Sequence, residues 1–261
     1  MEHASLARGL STPSRRPDTI HKHIRHQRVP LTTIVNPPLN IDYWASLYSA
    51  YTDYTEEYDE AMEYTGLVDR AQHLWDWKGL NRTIAFERVT DVLEGLDQED
   101  YINQDHEGAI ESLSERLVDE GVFESKSLVT SAFLLHLMAS EPGQYSVKFP
   151  IYDRRVWNAY VYLWRVRGDG DQLYRQASQS PHQYSAFCRK FGQTCPDEKA
   201  RDYERALFMF GGFIMDLPPK DAPTPIENID EKLKSQEKTL TDMHDTSGYA
   251  LININEILGS D

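Results

Sequence analysis

Six residues concentrate what chemistry this chain offers: Phe149-Pro150-Ile151-Tyr152-Asp153-Arg154, with Arg155 directly after. A carboxylate can stabilise a developing cation or activate a water molecule, and guanidinium groups beside it can hold an anion. Asp153 stands where a helix N-cap belongs. Behind it Val156, Trp157, Tyr160, Val161, Leu163 and Trp164 recur at helical spacing. The bland reading of the same residue is equally physical, since a capping aspartate is worth about 1 kcal/mol with no function attached.

Charge reinforces the focus on this stretch. The 261 residues carry a net charge of −15, which argues against indiscriminate binding to polyanions. Residues 53–64 hold six acids and no Lys or Arg, and residues 87–124 hold thirteen acids against Arg88 and Arg116. After Asp153 the balance reverses: Arg154, Arg155, Arg165, Arg167, Arg175, Arg189 and Lys190 face only Asp169 and Asp171. A basic stretch on an acidic body marks a polyanion site, or else pairs with the acidic helices around it.

The elements that must position Asp153 follow from the patterning. Leu128 to Met138 is an apolar run with helix formers throughout, too long for a strand, and reads as a buried helix. Glu141-Pro142-Gly143 stops it. Ile41 to Tyr64 reads as one amphipathic helix with a tyrosine stripe, and Leu67 to Leu74 as a short second helix. A tryptophan-anchored turn is expected at Trp75 to Leu80. Helices are expected at Thr83 to Leu96, Glu107 to Val118, around Leu173, at Tyr184 to Phe191, and from Asp197 to Met215. In the last of these Gly211-Gly212 would let a neighbouring element approach closely. Asp97 to Asp105 is read as a loop. The fold class is therefore all-α.

Residues 1–36 are read as a flexible basic arm, 37–217 as the helical domain, and 218–261 as a polar linker with a short apolar segment at 249–258 suited to a protein partner. His21, His23 and His26 on the arm lack neighbouring Cys or carboxylate ligands, so no metal or cofactor is assigned. No apolar run is long enough to span a membrane and the first residues lack a secretory core, so a cytoplasmic location is expected. Cys188 and Cys195, the two cysteines, fit a reduced compartment, with a disulfide between them the other option. There is no GxxxxGK[ST], GxGxxG, HExxH, CxxC or Gly-x-Ser-x-Gly motif to support nucleotide-driven, metal or serine-hydrolase chemistry.

The central stretch resembles the helix-hairpin-helix DNA glycosylase superfamily, especially bacterial proteins with the 8-oxoguanine-glycosylase fold. The resemblance lies in Ser131-Ala132-Phe133-Leu134-Leu135-His136-Leu137, in Lys148 to Val156, and in Tyr203 to Gly211, which is similar to the closing helix of those proteins. It covers roughly residues 80–216, with about 30 specific positions. It implies that Asp153 is the catalytic carboxylate facing an oxocarbenium-like sugar. It implies too that a base is rotated into a pocket, for which Tyr152, Trp157 and Tyr160 are candidate walls, with Arg154 and Arg155 as phosphate contacts. Two departures stand out. Phe133 occupies the place of the lysine nucleophile of lyase-active members, and neither Lys126 nor Lys148 replaces it. The Gly-hydrophobic-Gly hairpin that grips phosphate is also missing, Gly121-Val122-Phe123 being misplaced.

The expectation is a DNA or nucleotide N-glycosylase (a hydrolase of base excision) without a lyase step and without a cofactor. Relatives of this sort sit in bacterial antiviral loci, so the resemblance also implies a role in antiviral defence. The alternative is a catalytically inactive glycosylase-like protein serving as an interaction module.

Overall fold

A computed structural model describes residues 39–51, 54–164, 172–173, 176–196, 198–216, 224–225, 228–231 and 233–235. All of them belong to the second of two units into which the chain divides, 34–261. The arm with His21, His23 and His26, the arginines Arg165, Arg167 and Arg175, and the segment 249–258 lie outside the described residues.

The described residues form ten α-helices: α1 Ile41–Tyr51, α2 Tyr54–Met62, α3 Leu67–Trp77, α4 Glu87–Glu94, α5 Glu99–Ile102, α6 His106–Asp119, α7 Leu128–Ala139, α8 Arg154–Leu163, α9 Pro181–Thr194 and α10 Ala200–Asp216. Two strands of two residues each, β1 Gln172–Leu173 and β2 Thr224–Pro225, pair antiparallel. The helix expected around Leu173 is thus a strand, too short to leave a periodic signature. The architecture is otherwise helical, and no described helix is long and apolar enough to cross a membrane.

α7 is the centre. Of its twelve residues, Thr130 to Met138 are all buried, polar Thr130, Ser131 and His136 included, so the helix is enclosed on every side. Around it, Tyr58 and Met62 of α2, Leu74 and Trp75 of α3, Leu113 and Leu117 of α6, and Tyr152 of the following loop join one core. α8 lies against α10, and α1 packs along α10, where Trp44 meets Phe210 edge to face at 5.2 Å between centroids.

Several boundaries differ from the sequence reading. The stretch from Ile41 onward is described as two helices, α1 and α2. α3 runs on to Trp77, because Trp75 and Leu74 both face the core, and the turn begins only at Lys78. Gly79 follows in the left-handed region, φ 73°, opening a 3₁₀ turn at Leu80–Arg82. α4 starts at Glu87 rather than Thr83, and the loop after it contains α5. α9 continues past Gly192 to Thr194, whose hydroxyl meets Tyr203 at 2.9 Å. The core also extends beyond 217. Ile229 and Leu233 are buried, and Asp230 accepts a hydrogen bond from the Tyr162 hydroxyl at 2.5 Å. Two apolar residues in a charged stretch were too sparse a pattern to signal this docking. No disulfide joins Cys188 and Cys195.

Gly211 fulfils the close-approach reading. A methyl group at this position would sit 2.0 Å from the Arg155 carbonyl oxygen, so α8 reaches α10 only because that side chain is absent. Gly211→Ala is therefore expected to destabilise the fold by about 1–3 kcal/mol, as measured by the denaturation midpoint at unchanged slope.

Candidate functional site

Asp153 divides its two oxygens between structure and solvent. Its backbone is extended, and Oδ1 accepts hydrogen bonds from the amides of Arg155 (2.8 Å) and Val156 (2.9 Å), closing the N-terminus of α8. Oδ2 takes no part in the cap. It lies 3.5 Å from the Lys78 ammonium, with the two side chains 18% and 10% exposed. The cap holds one oxygen in place and so aims the other.

Asp153 lines a cleft of about 570 Å³, a volume suited to a small ligand. The cleft gathers residues from the whole length of the domain: Tyr48 of α1, Trp77 and Lys78 at the end of α3, Asp153, Arg154 and Arg155 at the start of α8, and Arg201, Glu204, Arg205 and Phe208 of α10. Five cationic side chains and two carboxylates line it, although the protein as a whole is strongly acidic. Arg154 is exposed, and the Arg155 guanidinium lies 4.5 Å from the centre of the Phe208 ring. Arg201 and Arg205 share Asp59: Arg201 Nε donates to its Oδ1 at 3.0 Å, and Arg205 Nη2 donates to its Oδ2.

Of the predicted substrate contacts, Arg154 and Arg155 reach the cleft together with Asp153. Tyr152 and Trp157 do not. Tyr152 is fully buried, packs against Trp157, Tyr184 and Phe187, and its hydroxyl donates to the Ser178 carbonyl at 3.1 Å. Burial pushes that phenol well above its usual pKa. Trp157 is core as well, with Tyr160 against it. Trp157 faces inward because Val156 to Leu163 of α8 are all buried, and Tyr152 because the loop ahead of α8 packs on α9. The aromatic walls come from elsewhere in the chain: Tyr48, Trp77 and Phe208.

Charged residues of the cleft also escaped the sequence reading. Lys78 stands beside Asp153, its Nζ 6.0 Å from the centre of the Phe133 ring, so a lysine from α3 lies over the position where a lysine on α7 was missing. Lys148 is occupied elsewhere, donating to the carbonyls of Ile102 and Gln104, and Lys126 pairs with Glu115. Gly121, part of the misplaced Gly-Val-Phe run, ends α6 in the left-handed region, φ 69°, and its carbonyl accepts from Arg88 at 2.6 Å. No local pattern could have revealed Lys78. Arg201 and Glu204 did leave a trace, as charges beside the apolar stripe Tyr203, Ala206, Leu207, Phe210.

Beneath the cleft a polar relay ties α2, α7 and α10 together. The Tyr58 hydroxyl meets His136 Nε2 at 2.6 Å, and His136 Nδ1 lies 2.9 Å from the Phe149 carbonyl, which can only accept. Nδ1 therefore carries a hydrogen, and in the neutral imidazole Nε2 accepts from the Tyr58 hydroxyl. Burial lowers the His136 pKa, and the nearby Glu204 only partly opposes it. The 3.6 Å approach of His136 to Glu204 is thus a dipolar contact. Arg201 stacks on Tyr58 at 4.1 Å. Burial would lower its pKa, but Tyr58, Glu204 and Asp59 outweigh that and raise it.

Among the described residues, no group of three or more His, Cys, Asp or Glu side chains is placed to hold a metal ion. Comparison of the chain with protein families, with characterised proteins and with solved structures returned no match.

The neutral buried His136 has a stability consequence. Below about pH 6.5 an unfolded imidazole gains a proton that the folded one resists, so unfolding is favoured as pH falls through and below that value. His106, whose pKa is lowered chiefly by burial and by Lys148, acts in the same direction. In denaturation at pH 7.5 and 5, His136→Gln should be less stable than the parent at pH 7.5 but lose less on acidification, by at most about 1.4 kcal/mol per pH unit.

Proposed function

We propose that the protein is an N-glycosylase acting on DNA or a nucleotide, with Asp153 as the catalytic carboxylate. The observation that carries this reading is Asp153, which caps α8 through one oxygen only and lines a cleft with cationic and aromatic walls. The resemblance in sequence of α7, the proline-containing loop, α8 and α10 to that superfamily supports it. A role in antiviral defence rests on that resemblance alone.

The chemistry follows from the placement. As the base departs with the bonding electrons, positive charge grows on the sugar, and a carboxylate oxygen fixed in a partly dry cleft stabilises it. Water adds to the sugar carbon and gives up its proton, for which Asp153 is the acceptor. Arg154 and Arg155 are placed for phosphate. The loss of the glycine hairpin makes these guanidinium groups the main grip on the backbone.

Lys78 bears on whether a lyase step follows. Held as an ammonium against Asp153, it offers no lone pair, which fits hydrolysis alone. Its position favours a second reading, in which the carboxylate takes a proton from Lys78 and the free amine attacks the sugar carbon as the glycosidic bond breaks, the base leaving with the bonding electrons and taking up the proton.

Both readings are tested with oligonucleotides bearing modified and mismatched bases, analysed with and without alkali. Hydrolysis predicts strand breaks only after alkali, and Asp153→Asn should lower base release by at least about 100-fold while keeping a capping oxygen. Breaks without alkali, together with a borohydride-trapped adduct lost in Lys78→Gln, would establish the second reading. If a folded protein releases no base from any substrate, the enzyme reading fails in favour of an interaction module.

Arg154→Gln supplies an independent check. It should weaken binding of all phosphate-bearing substrates about equally and flatten the salt dependence of binding, as read from titrations at several salt concentrations.

A further inference from the structure

The loop that delivers Asp153 is buried, and buried side chains hold its backbone. Phe149, Pro150, Ile151 and Tyr152 are all enclosed by the core. A loop out of reach of water needs partners for its own amides and carbonyls. Four polar side chains supply them, none more than 7% exposed. The Ser140 hydroxyl accepts from the Ser146 amide at 3.1 Å, and the Ser146 hydroxyl from the Phe149 amide at 2.9 Å. His136 Nδ1 donates to the Phe149 carbonyl, and Glu204 Oε1 accepts from the Ile151 amide at 2.9 Å. The bonds follow one another along the chain and end just ahead of Asp153.

Glu204 is the costly member of this set. It is 1% exposed, and its second oxygen, Oε2, accepts no hydrogen bond. Arg201 Nη1, at 3.9 Å from Oε2, is beyond hydrogen-bonding distance. Burying a carboxylate with an idle oxygen is unfavourable, and an apolar side chain of similar volume would avoid the penalty. Stability alone therefore does not call for a glutamate here, whereas the bond to Ile151 does. That bond spans 53 positions of the chain and joins the loop to α10. α10 also meets α8 at Gly211, against the Arg155 carbonyl. One helix thus holds the backbone on both sides of Asp153, the loop before it and the turn after it.

We infer that Glu204 is a positioning residue: through the Ile151 amide it fixes where the loop hands over to α8, and so where the Asp153 carboxylate stands. It acts through Asp153 and need not meet a substrate itself. What counts is the reach of Oε1, not the charge that accompanies it. The catalytic half of this assignment rests on the glycosylase reading of the site. A carboxylate that must meet a charge developing on a sugar carbon works only if it is held within a fraction of an ångström.

Two variants of the full-length protein separate reach from charge. Glu204→Gln keeps an oxygen within the same reach and loses the charge. Glu204→Asp keeps the charge and draws the oxygen back by one methylene. Amide hydrogen exchange followed by NMR reads the result without any substrate. In Glu204→Asp, exchange at the Arg155 and Val156 amides, which Asp153 caps, should quicken about tenfold or more, while in Glu204→Gln it should stay near that of wild type. On an oligonucleotide from which the wild type releases a base, kcat should fall about 10- to 100-fold in Glu204→Asp with KM little changed, and Glu204→Gln should keep most of the wild-type kcat. A purely structural role in pairing with Arg201 predicts the opposite order, with Glu204→Asp the milder change. Cap amides in Glu204→Asp that exchange as in wild type would overturn the inference. So would a Glu204→Gln protein as disturbed as Glu204→Asp, or a Glu204→Asp protein that does not fold, since the residue would then support the whole fold. Base release indifferent to both substitutions would sink this assignment and leave the glycosylase standing. Cap amides that respond as expected in a protein that releases no base would do the reverse.

Discussion

The contact between α8 and α10 governs everything around the site. Gly211 lets the Arg155 carbonyl into space that any side chain would fill, and the first turn of α8 is thereby pressed against the last helix of the core. Asp153 caps that turn, so its direction is set by where α8 begins. The same helix α10 carries Glu204, which holds the Ile151 amide from the other side. The loop bearing Asp153 is clamped at both ends by one helix. A rigid scaffold of this kind is what a carboxylate needs if its oxygen is to meet a charge that exists only fleetingly.

Electrostatics give the cleft its character within an acidic protein. The acids of residues 87–124 lie on α4, α5 and α6 and the turns beside them, none of which lines the cleft. Lys78, Arg154 and Arg155 stand at the cleft, while Asp59 moderates Arg201 and Arg205 from behind. A polyanion is repelled by most of such a surface and attracted by one part of it, which favours orientation over indiscriminate adhesion.

Much of this was legible in the sequence where the signal is local. The enclosed α7 announced itself by a long apolar run, the cap at Asp153 by an acid ahead of a helical stripe, and the close approach at Gly211 by paired glycines within an apolar helix. What was not legible is long-range. Lys78 sits at a helix end that reads as an ordinary turn, and only the fold carries it to Asp153. Tyr152 and Trp157 looked like pocket walls because they flank the acid in sequence. Nearness in sequence does not set direction: Tyr152 lies in the loop ahead of α8 and Trp157 on the helix, and the core claimed both. The short strand at Gln172–Leu173 and the docked Ile229 and Leu233 failed for want of length, since two residues define no period.

The separation of these partners along the chain bears on how the protein comes into being. Arg205 meets Asp59 across 146 positions, and Lys199 meets Asp42 across 157. Helices α1 and α2 are made early in synthesis, yet their aromatic side chains find their final neighbours only when α10 leaves the ribosome. Contacts of such range close slowly, because the entropy of the intervening loop is lost before any contact repays it. The cleft is therefore among the last features to assemble, and a nascent chain halted after α9 would carry Asp153 with no Glu204, no Arg201 and no far wall. The cleft and the completed fold arrive together.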